Sequence, residues 1–180
     1  MHILIDQDSV IADWDAGYDN LLDQLGSAGR NIPRRHQRTV FNLHAGLGPR
    51  QSLYVRRIMD TPGFYAQLPV IEGATLALNE IAEEHDVSIV TSPWNTNPTC
   101  ASDKLDWLER NIGEGWADRA ILTKDKTMVR GDVLIDDKPD IKGIYLPTWT
   151  QIIYTAPYNL GIDGPRITDW SNWREVVDAF

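Results

Sequence analysis

Short apolar runs that end abruptly in polar residues recur along this 180-residue chain. The first run is Ile3-Leu4-Ile5, and it is followed directly by Asp6-Gln7-Asp8. Such runs are typical of parallel strands that are buried on both faces. The runs cover residues 3–5, 87–90, 120–122 and 133–135, with a weaker fifth candidate at 152–154.

Helical patterns lie between the later runs. Residues 75–84 are rich in Ala, Leu and Glu, and residues 101–111 repeat apolar side chains before Gly113. Strands that alternate with helices predict an α/β fold with a doubly wound, Rossmann-like parallel sheet. Ligands of such sheets bind outside the carboxyl ends of the strands. The polar residues at those ends are Asp6, Asp8, Thr91, Ser92, Lys126, Asp136 and Asp137.

One segment interrupts this alternation. Residues 10–69 contain no convincing strand, only helical candidates at 13–25 and 52–59. We interpret residues 15–69 as a small helical cap inserted after the first strand. The core domain then comprises residues 1–14 and 70–180.

The cap also differs from the core in charge. Residues 24–59 contain seven Arg and no Asp or Glu, in a chain whose formal net charge is −9. The overall charge argues against a nucleic-acid polymer as partner. A cationic cap above acidic strand ends would attract a small phosphorylated anion. The alternative is that the arginines form an ordinary solvated face.

The remaining composition points to the cytoplasm. Cys100 is the single cysteine, so no intrachain disulfide forms. No apolar run has the length of a membrane span. The first strand candidate follows Met1 and His2 directly, which leaves no room for a signal peptide.

Two carboxylate pairs suggest a metal site. Asp6 and Asp8 follow one strand, and Asp136-Asp137 follow another. Four carboxylates at one sheet edge repel one another, so they need a cation or some must be protonated. Oxygen ligands favour Mg²⁺. The four histidines show no ligand spacing, which disfavours zinc.

Thr91-Ser92 and Lys126 complete a phosphoryl-transfer pattern. Hydroxyl, backbone N–H and ammonium groups at strand ends suit the oxygens of a transferring phosphoryl group. Taken singly, Thr-Ser-Pro is a common turn and a Lys between two Asp is usually exposed. Their succession at the strand ends is what predicts the site.

These motifs resemble the haloacid-dehalogenase-like phosphatases, which carry Asp-x-Asp, Thr/Ser, Lys and an acidic pair in this order. Within them, the 5′(3′)-deoxyribonucleotidases are the most similar family. Residues 122–143 look like their third and fourth motifs nearly residue for residue, and Thr91-Ser92-Pro93 matches their second. Residues 5–14 are similar to their first motif, and the Trp-rich tail at 170–173 also looks like theirs.

The resemblance implies a role for each motif residue. Asp6 is the expected nucleophile, and Asp8 the expected general acid and base. Mg²⁺ is expected on Asp6, Asp137 and the Asp8 carbonyl, with Asp136 supporting it. The expected phosphate-binding residues are Thr91, Ser92, Lys126 and Lys124, the last standing where relatives often carry Arg.

Two positions depart from the family pattern: Ser9 replaces a usual Gly, and Asn95 replaces a Lys found in some relatives. Similarity to dimeric nucleotidases also implies a homodimer.

The expected activity is Mg²⁺-dependent hydrolysis of deoxynucleoside monophosphates through an aspartyl-phosphate on Asp6. Trp14, Phe41, Phe64 and Tyr65 are candidates for an apolar pocket that stacks on the base. Core packing is an equal or better interpretation for each of them except Trp14. Another small phosphomonoester, such as a phosphosugar, is the rival substrate. A phospho-receiver signalling module is the rival class, although receivers place the acidic pair first and lack a cap.

Overall fold

The computed structural model describes residues 1–180 and contains one six-stranded parallel sheet with helices around it. The strand order is β3-β2-β1-β4-β5-β6. This confirms the predicted α/β class. No helix has the length and apolar character needed to cross a bilayer. In chain order the elements are β1 (His2–Ile5), α1 (Trp14–Gln24), α2 (Pro49–Met59), α3 (Ala74–Glu84), β2 (Asp86–Thr91), α4 (Cys100–Asn111), β3 (Ala120–Leu122), β4 (Val133–Asp136), β5 (Thr150–Tyr154), β6 (Arg166–Ile167) and α5 (Trp173–Val177).

The register of the central strands brings the motif residues to one edge. Ile5 in β1 is opposite Ile89 in β2 and Ile135 in β4. The next residue, Asp6, continues the ladder, because its N–H donates to the Ile135 carbonyl at 2.9 Å. Residues that follow these three strands therefore emerge side by side. The apolar residues that fix the register are fully buried, as expected for central parallel strands.

The chain that follows β1 leaves the sheet at residues 11–13 and returns next to the same residues at 69–71. The Asp13 N–H donates to the Pro69 carbonyl at 2.7 Å, and the Ile71 N–H donates to the Ile11 carbonyl at 2.9 Å. Between these two points lie α1, α2 and short 3₁₀ turns, with no strand. The division into a core and a cap of residues 15–69 stays a prediction, and the word cap refers to these residues below.

Cap and core share one apolar interior. A single cluster of 34 buried residues includes Tyr18 and Val55 from the cap together with Ile5 and Ile135 from the sheet. The cap therefore packs directly against the strands that carry the site.

Four of the seven arginines in the segment 24–59 form ion pairs rather than present free charge. Their partners are acidic residues just outside the segment that lacks Asp and Glu. The pairs are Arg34 with Asp23, Arg35 with Asp13, Arg38 with Asp15 and Arg56 with Asp60. Among the seven arginines, only Arg38 lines the main cavity. The structure does not contain the cationic lid that the local charge predicts.

Candidate active site

A cavity of about 520 Å³ lies at the carboxyl ends of the central strands, between the sheet and the cap. Every site residue predicted from the sequence lines it except the pocket candidate Phe64. The residues that do are Asp6, Asp8, Trp14, Phe41, Tyr65, Thr91, Ser92, Lys124, Lys126, Asp136 and Asp137. The topology explains this grouping, because the core residues follow parallel strands whose ends meet at one sheet edge.

Asp6, Asp136 and Asp137 form an acidic cluster in which one oxygen from each lies within 4.8 Å of the others. Burial raises the pKa of Asp137 well above its ordinary value, and the neighbouring Asp136 and Asp6 charges raise it further. A divalent cation would relieve this repulsion. The donors are all hard oxygens, so the residues present fit Mg²⁺.

Lys126 is the cation already inside this cluster. Its Nζ lies 2.8 Å from Asp6 Oδ1 and 2.5 Å from Asp136 Oδ2. Burial alone would lower the pKa of Lys126, but the Asp136 and Asp6 carboxylates outweigh it and raise the pKa. The second oxygen of Asp136 accepts the Lys138 N–H at 2.8 Å. Because both of its oxygens are engaged, Asp136 is better suited to orient Lys126 than to bind metal directly.

The Asp8 carboxylate is not part of the acidic cluster and instead contacts a lysine that the sequence reasoning missed. Lys104 in α4 is fully buried, with its Nζ 2.7 Å from Asp8 Oδ1 and 2.9 Å from Thr91 Oγ1. Burial raises the pKa of Asp8, Lys104 opposes this rise, and Asp6 adds to it. The residue spacing in α4 could have indicated that Lys104 is buried. Lys104 lies on the same helical face as Cys100, Trp107 and Leu108.

The two hydroxyl residues at the carboxyl end of β2 differ in what they can offer a phosphate. Thr91 Oγ1 already accepts from Lys104, so the hydroxyl proton of Thr91 remains available. Ser92 Oγ instead donates to the Thr123 carbonyl at 2.7 Å. Ser92 can therefore contribute its backbone N–H or act as an acceptor. Lys124 lies farther out, at the exposed rim of the cavity.

The turn after Asp8 explains why glycine is usual at the next position. Ser9 has φ +62°, and no other non-glycine residue takes a positive φ. Its N–H donates to the Ala12 carbonyl at 2.8 Å and closes the turn. Glycine adopts this left-handed conformation at the least cost. Ser9 adopts this conformation in the turn that follows Asp8.

The cap aromatics separate into lining and supporting residues. Trp14 and Tyr65 line the cavity, although only 7% of Trp14 is exposed, and Trp14 stacks on Tyr18 at 4.9 Å. Phe64 is buried against the edge of Trp14 and does not line the cavity. Phe41 is 41% exposed and is the most accessible aromatic of the wall. Phe64 is therefore a core-packing residue, whereas Phe41 is an accessible part of the cavity wall.

Sequence comparison identifies the family to which these residues belong. The family model described as 5′ nucleotidase, deoxy (Pyrimidine), cytosolic type C protein matches residues 1–180. The chain belongs to this family. It is 33% identical to the human cytosolic-type 5′(3′)-deoxyribonucleotidase, with 99% of this chain and 94% of the relative covered. It is 31% identical to the human mitochondrial 5′(3′)-deoxyribonucleotidase, with 99% and 83% covered.

Solved structures agree on the fold of this nucleotidase family member. A haloacid dehalogenase-like protein from Burkholderia xenovorans LB400 superimposes with a TM-score of 0.61 at 15% identity, covering 99% of this chain and 96% of the other. Bacillus subtilis YfnB, whose structure holds magnesium, gives 0.51 at 13% identity, covering 98% of each. Family and fold together make the chain a phosphoric monoester hydrolase.

Proposed function

We propose that this protein is a Mg²⁺-dependent 5′(3′)-deoxyribonucleotidase. The observation that carries the proposal is one cavity with phosphoryl-transfer residues on its core side and aromatic residues on its cap side. Its volume of about 520 Å³ lies within the range of small-molecule sites. The human relatives named above are deoxyribonucleotidases, which favours a deoxynucleoside monophosphate over a phosphosugar.

The metal would be held by Asp6, Asp137 and the main-chain carbonyl of Asp8. A bound Mg²⁺ would supply positive charge against the phosphate and the attacking carboxylate. The magnesium in YfnB, which shares the fold, supports Mg²⁺ as the choice of metal. Asp136 would act on the site through Lys126, because both of its oxygens are already engaged.

The reaction would proceed in two half-reactions on Asp6 and Asp8. An Asp6 oxygen attacks phosphorus while the ester P–O bond breaks, and Asp8 gives its proton to the departing sugar oxygen. Asp8 then takes a proton from water, whose oxygen attacks phosphorus and releases Asp6. Burial raises the pKa of Asp8, which helps it carry the proton for the first step. Lys126 would stabilise charge on the phosphoryl oxygens.

Location and assembly extend the same proposal. The cytosolic type of one human relative supports a cytoplasmic location for this chain. The homodimer implied by the family resemblance stays a prediction.

A panel of phosphomonoesters tests the proposed substrate. Paired deoxyribo- and ribonucleoside 5′-monophosphates, a deoxynucleoside 3′-monophosphate and a phosphosugar are assayed with Mg²⁺, and kcat/KM is compared. We expect the deoxynucleotides to be fastest, with a deoxy preference of up to about 100-fold, because an apolar wall rejects an added hydroxyl only modestly. Faster hydrolysis of the phosphosugar would contradict the proposal. Phosphate that stays on Asp6 for many minutes without turnover would favour the alternative hypothesis of a phospho-receiver signalling module.

A further inference from the structure

Tyr158, in the connection between β5 and β6, contacts both sides of the cavity. Its hydroxyl donates to Asp137 Oδ2, in the acidic cluster. The guanidinium of Arg38 lies 4.5 Å above the centre of its ring. The ring of Phe41 meets it edge-on, with 5.6 Å between centroids and 74° between planes. Tyr158 is therefore the side chain that joins the metal-binding side of the cavity to the aromatic wall.

The segment that carries Tyr158 is fixed by its neighbour Asn159. The fully buried Asn159 Nδ2 donates to the Asp137 carbonyl at 2.7 Å and to the Tyr154 carbonyl at 2.8 Å. Its Oδ1 accepts from the Ala156 N–H and from Arg166 Nη1, each at 3.0 Å. All polar atoms of this amide are bound, so the backbone beneath Tyr158 is tied to both β4 and β5.

On the acidic side, Tyr158 is the one side chain that hydrogen-bonds the Asp137 carboxylate. Burial and the Asp137 charge raise the pKa of Tyr158, so its hydroxyl keeps the proton that it donates. One oxygen of Asp137 is thereby held, which leaves the other to face the cluster. Partners that orient a ligand in this way commonly contribute about 10- to 100-fold to metal affinity.

On the cap side, the ring of Tyr158 meets the segment that presents Phe41. Arg38 is buried, pairs with Asp15 in α1, and donates from Nη2 to the Phe41 carbonyl at 3.2 Å. A guanidinium over an aromatic face and an aromatic edge contact are both attractive, because the face of the ring is electron-rich and its edge is electron-poor. These contacts fix where Phe41 stands in the cavity.

We propose that Tyr158 is a positioning residue that holds Asp137 with its hydroxyl and the Arg38–Phe41 segment of the cap with its ring. The inference rests on the proposed nucleotidase function, in which Asp137 binds Mg²⁺ and Phe41 contacts the nucleoside. The hydroxyl accounts for the effect on Asp137, and the ring accounts for the effect on the Arg38–Phe41 segment. Two substitutions of Tyr158 can therefore separate the two effects.

The experiment compares Tyr158→Phe, which removes only the hydroxyl, with Tyr158→Leu, which also removes the ring. Tyr154→Phe is the matched control, because it removes a nearby tyrosine hydroxyl that does not hydrogen-bond the acidic cluster. Mg²⁺ binding is measured by calorimetry without substrate. Hydrogen exchange at residues 38–42 is measured in the metal-free protein, after thermal unfolding has shown that each variant is folded.

Tyr158→Phe should weaken Mg²⁺ binding by about 10-fold or more and leave exchange at residues 38–42 unchanged. Tyr158→Leu should weaken Mg²⁺ similarly and also accelerate that exchange. It should raise the KM of a deoxynucleotide by about 10-fold relative to p-nitrophenyl phosphate, which has no nucleoside. The control should resemble the unaltered protein in every measurement.

Wild-type Mg²⁺ affinity in Tyr158→Phe would overturn the role of the hydroxyl. Unchanged exchange in Tyr158→Leu would overturn the role of the ring. Neither measurement needs a substrate, so both remain decisive if the enzyme hydrolyses a different phosphomonoester. If the unaltered protein binds no Mg²⁺, the hydroxyl role and the metal assignment fail together, while the exchange result still tests the ring.

Discussion

Replacing Lys104 with methionine isolates the effect of one buried ammonium on Asp8. Methionine keeps an unbranched apolar stem of similar volume and removes the contacts at 2.7 Å to Asp8 Oδ1 and 2.9 Å to Thr91 Oγ1. Lys104 is fully buried and does not line the cavity, and the two polar contacts of its ammonium group are with these residues. Lys104→Met therefore tests the assignment of Asp8 as the proton carrier.

The direction of the effect follows from the ion pair. An opposite charge this close lowers the pKa of a carboxyl group, so losing Lys104 raises the pKa of Asp8. One quarter of the Asp8 side chain is exposed, so water partly screens the pair. Because water reaches the pair, Lys104→Met should lower the free energy of unfolding by less than the loss seen when one partner of a fully buried ion pair is removed. That loss is about 3–5 kcal/mol.

The pH dependence of kcat measures this rise, and its sign is fixed by the mechanism. Asp8 must hold a proton for the first half-reaction and must be ionised for the second, so kcat falls on both sides of an optimum. A higher pKa of Asp8 moves the acid limb of this profile, and its alkaline limb, to higher pH. Lys142→Met is the matched control, because exposed Lys142 pairs with Asp140 and not with Asp8.

Two results would refute the reasoning about Lys104. One is an acid limb that stays in place in a folded Lys104→Met enzyme. The other is a double variant in which the losses of kcat caused by Lys104→Met and by Asp8→Asn are fully additive. If Lys104 acts through Asp8, adding Lys104→Met to Asp8→Asn should cost much less than it does alone.

Three further results are expected. Asp6→Asn should abolish turnover and leave the fold intact, because an amide is not an anionic nucleophile; more than a few per cent of wild-type kcat in a pure preparation would exclude Asp6. EDTA should stop turnover, with recovery in Mg²⁺ and little recovery in Ca²⁺, whose looser coordination misplaces the reacting groups; activity in excess EDTA would remove the metal from the account. Phe41→Ser should bring the ratio of deoxy to ribo kcat/KM closer to one, with less effect on p-nitrophenyl phosphate; it is a cleaner test than substituting Trp14, which also packs on Tyr18.

The sheet was largely predictable because central parallel strands are apolar on both faces. The runs beginning at Ile3, Val87, Ala120 and Val133 all correspond to strands. The candidate at 152–154 is the end of β5. β6 has two residues, Arg166 and Ile167, and leaves no pattern to detect. The motif residues then converge because the topology places them at one edge.

The remaining features depend on contacts between distant segments. The cap arginines look like a cationic surface until Asp13, Asp15 and Asp23 of the first helical region are seen to pair with them. Phe41 and Phe64 have the same side chain, and only the packing of the cap shows that one lines the cavity and the other supports it. Tyr158 carries no motif, since its role comes from the approach of the β5–β6 connection to Asp137.

The central claim is that Asp6 becomes phosphorylated during hydrolysis, and trapping that intermediate tests it most directly. The enzyme is mixed with Mg²⁺ and a deoxynucleoside monophosphate, quenched in acid within milliseconds, digested with protease and analysed by mass spectrometry. We predict an acid-stable, alkali-labile phosphate on the peptide that contains Asp6, formed and lost at rates that account for turnover. Rapid hydrolysis with no phosphate on that peptide at any quench time, or with phosphate on another residue, would contradict the account.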